Sequence, residues 1–172
     1  QVKAEVGRAF LSFHKNIRVV CKKISQHSGT FRTPKLRIIA GARRKETIHR
    51  ESNSRLKLHL EKAYFSPRLS TERKRISAMV RDGESVLVMF SGCAPYPCVI
   101  AKNASPKEIY AVEINPSAHE YAKQNIKLNK LSNIRLFCGD AKKTVPRFRK
   151  LFDRVLMPLP KGAENFLSTA LR

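Results

Sequence analysis

The sequence predicts an α/β protein: a parallel sheet over residues 64–172, preceded by a small β-rich module over residues 1–63. Three observations predict it. Short apolar runs at Ser85–Phe90, Glu108–Ile114, Ile134–Cys138 and Asp153–Met157 recur at spacings that leave room for intervening helices. Helix-entry pairs, Ser66-Pro67 and Asn115-Pro116, stand between those runs, each offering a capping side chain followed by proline at the first helical position. Upstream of Tyr64 the period shortens to two, which is strand-like.

Taken in order, Gln1–Phe13 reads as the end of a helix. Ile17–Cys21, Lys35–Ala40, Glu46–Arg50 and Arg55–Leu60 read as short strands. Their apolar positions (Leu36, Ile38 and Ala40, then Leu56, Leu58 and Leu60) alternate mainly with basic ones, which predicts one solvated, basic face. Ser28-Gly29, Thr33-Pro34 and Ser52-Asn53 punctuate them. From Ser66 a helix is expected to bury Leu69, Ile76, Met79 and Val80 and to stop at Gly83. A second helix is expected over Pro97–Lys102, and a third after Asn115 with Ala118, Tyr121, Ala122 and Ile126 on its core face. Strands alternating with helices imply right-handed βαβ units, and so a parallel, Rossmann-like sheet.

Length and composition bound the function. A chain of 172 residues, 42% hydrophobic, can build a real core and is no disordered tail. Lys and Arg number 35 against 13 acids, with 16 basic residues in 1–63 and 19 in 64–172. The charge is therefore spread through folded sequence, and a field of this sign favours a polyphosphate partner, here a nucleic acid. A basic solvated surface, as in a structural ribonucleoprotein component, is the plainer alternative. Cys21, Cys93, Cys98 and Cys138 have no metal-ligand spacing, so no metal is expected; they read as reduced thiols of a cytoplasmic protein. The longest apolar run, Val86–Phe90, cannot span a bilayer, and no secretory signal opens the chain. The start at Gln1 and the stop at Arg172, inside an apparent helix, read as a piece of a longer protein.

The chemistry-bearing residues cluster in two places. Tyr64-Phe-Ser-Pro-Arg-Leu-Ser-Thr-Glu-Arg73 puts one carboxylate, Glu72, and two guanidinium groups, Arg68 and Arg73, upstream of the first parallel strand. That strand runs into Phe90-Ser91-Gly92-Cys93-Ala94-Pro95, a turn into a helix, whose amides can face a ligand. Glu113, about twenty residues on and at the end of the next strand, stands where an acid accepts hydrogen bonds from a ribose. Gly139-Asp140-Ala141, ending the third strand, adds a polar group where an adenine would lie. Singly, each acid reads as a helix cap or a solvated charge; together they favour a nucleoside cofactor.

These residues together resemble the class I S-adenosylmethionine-dependent methyltransferases and, more narrowly, the archaeal and eukaryotic tRNA (guanine-37-N1) methyltransferase family. Tyr64 to Arg73 is close to that family's signature, and Gly29-Thr-Phe-Arg32 with Pro34 resembles its upstream arginine motif. Asn115-Pro116, Asn125-Ile-Lys-Leu-Asn129 and Asp153-Arg-Val-Leu-Met-Pro-Leu-Pro160 also fit. The resemblance implies a class I methyltransferase sheet, incomplete at its C-terminus, with S-adenosyl-L-methionine as cofactor and the anticodon stem-loop of a tRNA as partner of a monomer. It implies that Glu72 takes the proton from guanine N1 and that Arg32 holds the displaced guanine or its developing charge. Tyr64, Ser66, Arg68 and Arg73 would form the substrate wall, with Pro158 standing where the family has an asparagine. Phe90, Gly92, Ala94, Pro95, Glu113, Asp140 and Ala141 would hold the cofactor, Ala94 replacing the loop's second glycine and Val88 an acid two residues before Phe90. Two alternatives keep the same scaffold: a relative that binds tRNA without chemistry, and a wyosine-pathway transferase acting on a modified guanosine.

Overall fold

The computed structural model describes residues 2–26 and 29–171. The turn signal at Ser28 and the chain ends, Gln1 and Arg172, lie outside the described residues. Helix α1 spans Val2–Phe13. Strands β1 (Val19–Lys23) and β2 (Leu36–Gly41) form an antiparallel hairpin, irregular between Val20 and Cys21. The hairpin carries α1, and Gly7 allows close packing there, since a side chain at that position would meet Ala40 Cβ at 2.8 Å.

Strands β3 (Glu46–Glu51) and β4 (Ser54–His59) make a second, separate antiparallel sheet. Ser52 and Asn53 join them with φ of 40° and 61°, the paired left-handed residues of a tight hairpin turn whose twist matches the strands. The β-rich module is thus two hairpins. On β4 the predicted alternation holds: Leu56 and Leu58 are fully buried while Arg55 is exposed. Burying each of these leucines contributes about 1.5–3 kcal/mol. Leu56 packs with Ala94, Cys98 and Ala122, and Leu58 with Cys93, Ala118 and Tyr121, so the core runs without a break from this hairpin into the residues beyond Tyr64.

The main sheet is four-stranded and parallel, in the order β7-β6-β5-β8, from β5 (Ser85–Met89), β6 (Glu108–Glu113), β7 (Ile134–Cys138) and β8 (Arg154–Leu156). Every residue of β5 is buried, as a strand covered on both faces requires. Val86 and Val88 face Tyr96, Ile100 and Ile109; Leu87 and Met89 face Tyr110, Val112 and Val145. The helices are α2 (Ser70–Met79), α3 (Pro95–Asn103), α4 (Pro116–Leu128), α5 (Ala141–Thr144) and α6 (Leu167–Ala170). Asn115 caps α4 as expected, accepting from the amides of Ser117 and Ala118 at 3.0 and 3.3 Å, and Ala118, Tyr121 and Ala122 are buried.

Around Ser66 the structure corrects the sequence reading. Pro67–Leu69 is a 3-10 turn, the Ser66 side chain makes no capping hydrogen bond, and α2 begins at Ser70. Leu69 and Met79 are exposed, Val80 lies past the helix end, and the side chains α2 buries are Arg73 and Ser77, with Ile76 packed against the core. An ion pair has taken the place expected for an apolar stripe. Gly83, with φ of 80°, serves the turn into β5, four residues beyond the end of α2. Helix α3 starts two residues earlier than expected, at Pro95.

One feature ties the second hairpin to α4. Asn125 Oδ1 accepts the amide of Lys57 at 2.6 Å, and its Nδ2 donates to the Lys57 carbonyl at 3.0 Å. Asn129 repeats the pattern on Arg55, at 2.8 and 2.7 Å. Asn125 Nδ2 also reaches the Cys93 carbonyl at 2.9 Å.

Candidate functional site

A cavity of about 420 Å³ opens at the carboxyl ends of β5, β6 and β7, where a parallel sheet leaves room for a ligand. Its first wall is the turn after β5. Phe90, Gly92 and Ala94 all take left-handed backbone, with φ of 58°, 57° and 64°. Left-handed non-glycine residues cost energy and persist where the surroundings hold them. Glu113 is the holding group here: one carboxylate oxygen accepts the Gly92 amide at 2.6 Å and the other accepts the Asn115 amide at 2.7 Å. Burial raises the Glu113 carboxyl pKa, and the donated amides oppose that shift. Glu113 is therefore a brace for the loop as well as a wall of the cavity. Replacing it with Gln puts an amide group, which must donate, against two backbone donors; the Glu113→Gln chain is expected to lose about 1–3 kcal/mol in a denaturant titration. Asp140 and Ala141 close this wall, with Asp140 Oδ1 capping α5 through the Lys142 amide at 2.9 Å.

The second wall comes from Tyr64, Phe65, Ser66, Leu69, Arg73 and Tyr96. Arg73 is 1% exposed, and its guanidinium donates from Nε and Nη2 to the two oxygens of Glu51 and from Nη2 to the Ser66 carbonyl at 3.1 Å. It lies 5.0 Å from the Phe65 ring centroid, and His49 Nε2 sits 3.0 Å from Glu51. The third wall joins residues 29–32 to residues 158–160. Arg32, with φ of 49°, donates from Nη2 to the Lys161 carbonyl at 3.2 Å, tying one loop to the other across 129 residues of sequence.

The structure brings Arg32, Tyr64, Ser66, Arg73 and Pro158 into one cavity with Phe90, Gly92, Pro95, Glu113, Asp140 and Ala141. Three expected residues do not line it. Ala94 is fully buried and packs with Leu56, Cys98 and Ala122, because its left-handed backbone starts α3 and turns its methyl inward. Arg68 lies in the 3-10 turn and outside the cavity wall. Glu72 sits in the first turn of α2 with its two oxygens on Nε and Nη2 of Arg75, each at 2.7 Å, and that pair holds its pKa below the usual carboxylate range. Arg73 lines the cavity, but its charge is already spent on Glu51, so it is a buttress of the wall. Sequence reasoning missed Glu51, whose only signal is a charge ending an otherwise ordinary hairpin strand, and Tyr96 and Phe166, which line the cavity from helical positions without a motif.

Comparison with known proteins follows the same lines. The TRM5/TYW2 methyltransferase domain matches residues 47–172. The tRNA (guanine(37)-N(1))-methyltransferase Trm5b of Pyrococcus abyssi is 44% identical over 167 residues, 97% of this chain and 49% of the relative. The solved complex of aTrm5 and tRNALeu superposes with a TM-score of 0.87 at 37% identity, over 99% of this chain and 49% of that one. Methanocaldococcus jannaschii TYW2 in complex with AdoMet superposes at 0.71 and 34% identity, over 78% of this chain and 60% of that one. The chain spans about half the length of the curated relative from Pyrococcus. A parallel sheet with its cavity at the strand ends, together with a family match over most of the residues, leads to one conclusion: this chain belongs to the TRM5/TYW2 methyltransferase domain family.

Proposed function

We propose that this chain carries the catalytic part of a tRNA methyltransferase, moving a methyl group from S-adenosyl-L-methionine to N1 of the guanine 3′ to the anticodon. The observation that carries the reading is the meeting, in one cavity, of the strand-end turn around Phe90–Pro95 with the wall of Arg32, Tyr64 and Ser66. The residues present fit the cofactor. Ser91 is among the residues lining the cavity, and its buried Oγ has no hydrogen-bond partner among the described residues; a side chain at Gly92 would come into van der Waals contact with the Tyr64 carbonyl, 3.6 Å away. Phe90, Gly92, Pro95, Glu113, Asp140 and Ala141 would hold that cofactor, which supplies an electrophilic methyl on a sulfonium.

The chain's own residues then have three tasks. Guanine N1 is a poor nucleophile while protonated, so a carboxylate must take that proton as the methyl moves. We assign this to Glu72, whose neighbours Leu69, in the preceding 3-10 turn, and Arg73, on α2, line the cavity; the pKa of the cavity-lining Tyr96 is raised by burial first and by the Glu72 charge second. Its pairing with Arg75 is solvent-exposed, and exposed pairs of this kind hold weakly, so an incoming base can displace it. Arg32 stabilises charge building on the guanine O6, and Tyr64 and Ser66 shape the wall, with Pro158 beside them. The partner is the anticodon stem-loop, held by the basic surface and read as a splayed loop. We place the protein in the cytoplasm, as a monomer; among the described residues the four cysteines are free and no helix is long and apolar enough to cross a membrane.

The test is methyl transfer from labelled S-adenosyl-L-methionine to an anticodon stem-loop, with nucleoside mass spectrometry of the product. Formation of 1-methylguanosine with a guanine target, and none with adenine in its place, is the expected result. Tight RNA binding with no cofactor binding would overturn the proposal in favour of a non-catalytic binder. Likeness to the tRNA 4-demethylwyosine(37)-methyltransferase Taw21 of Saccharolobus solfataricus supports a second reading, transfer to a modified guanosine, and the mass of the product separates the two.

A further inference from the structure

We propose that Phe31 is the ring on which the target base stacks after it leaves the RNA; this rests on the reading above. Phe31 lines the cavity and is 44% exposed, so its ring is open to an incoming group. Three other aromatic residues there are committed. Phe65 has Arg73 and His49 on it at 5.0 Å each, Phe90 meets the edge of Phe166 at 4.7 Å, and Tyr96 lies 6.0 Å from the Arg73 guanidinium. Among the described residues no ring or cation rests on Phe31.

The backbone holds this ring in place. Gly29 and Arg32 flank it with φ of 70° and 49°, and the Arg32 amide donates back to the Gly29 carbonyl at 3.2 Å. A left-handed arginine is disfavoured and needs support; the hydrogen bond from Arg32 to the Lys161 carbonyl supplies some of it. An apolar ring is thereby kept open to the same cavity that the arginine assigned to the base lines. A nucleobase drawn out of its loop loses its stacking neighbours, and a protein aromatic restores that interaction.

The chain contains no tryptophan, so Phe31→Trp introduces a single fluorescent reporter at the site. Its emission is measured during titration with two anticodon stem-loops, one carrying guanine at the target position and one abasic there, with S-adenosylhomocysteine present. Quenching by the guanine RNA and not by the abasic one is expected. In parallel, Phe31→Leu is expected to lower kcat/KM for RNA by roughly ten- to a hundredfold, mainly through KM, while cofactor affinity and the unfolding midpoint stay at wild-type values and Phe31→Trp keeps most of the activity. Equal quenching by both RNAs, or undiminished kcat/KM in Phe31→Leu, overturns the assignment. If the unaltered chain transfers no methyl group, the catalytic reading fails, and the quenching comparison still decides for or against Phe31.

Discussion

Glu72→Gln should lower methyl transfer by about 10²- to 10⁴-fold while leaving RNA affinity and cofactor affinity unchanged. The substitution keeps the size of the side chain while removing its charge, its pairing with Arg75 and its capacity to take a proton. The structure makes this a demanding test, because Glu72 rests on Arg75 outside the cavity wall. If it is the base, its carboxylate must turn about the first turn of α2 toward the side where Leu69 and Arg73 face the cavity. Single-turnover kinetics with saturating RNA isolate the chemical step, and filter binding reports the affinity. A Glu72→Gln chain that transfers methyl at the wild-type rate would remove Glu72 from the chemistry and leave proton removal to another group.

Glu51→Ala should destabilise the chain by about 3–5 kcal/mol, the largest stability effect we expect from one surface-distant residue. Arg73 is 1% exposed, and Glu51 is the carboxylate that receives its Nε and Nη2. Truncating Glu51 strands a buried cation whose remaining partners are the Ser66 carbonyl and two aromatic faces. Removing both charges, as in Glu51→Ala with Arg73→Met, should recover much of the loss, since an apolar pair of suitable volume tolerates that site. Guanidinium unfolding of the wild type and the two variants provides the measurement. Equal stability of Glu51→Ala and wild type would mean that the pair contributes nothing. The same pair ties the β3–β4 hairpin to the helix that carries Glu72, so Glu51→Ala should also loosen the second wall of the cavity.

Much of this architecture was legible because it rests on local rules. The four parallel strands announce themselves as apolar runs, and Asn115-Pro116 announces α4 because capping geometry depends only on neighbouring residues. The strand-end residues Phe90, Gly92, Glu113 and Asp140 were legible for a related reason: in a parallel sheet the carboxyl ends of adjacent strands must meet. What escaped was long-range. The expected apolar face of α2 failed because Arg73 is buried by Glu51, 22 residues away on a different element, and no pattern within α2 reveals a partner for a charge. The resting position of Glu72 escaped because an i,i+3 neighbour, Arg75, competes for it, and spacing alone cannot say which partner wins. The resemblance gives Ala94 to the cofactor, yet with φ of 64° at the start of α3 its methyl packs with Leu56, Cys98 and Ala122.

The paired amides of Asn125 and Asn129 carry a consequence for solubility. A two-stranded ribbon normally exposes a rim of unmet backbone donors and acceptors, an invitation for another molecule to add its own strand. Here a helix impersonates the missing neighbour: each carboxamide offers its oxygen and its nitrogen to one residue of β4, at the register a real strand would use. The outer edge of β4 is closed from within the molecule, so strand addition along that edge is barred before charge repulsion has to act.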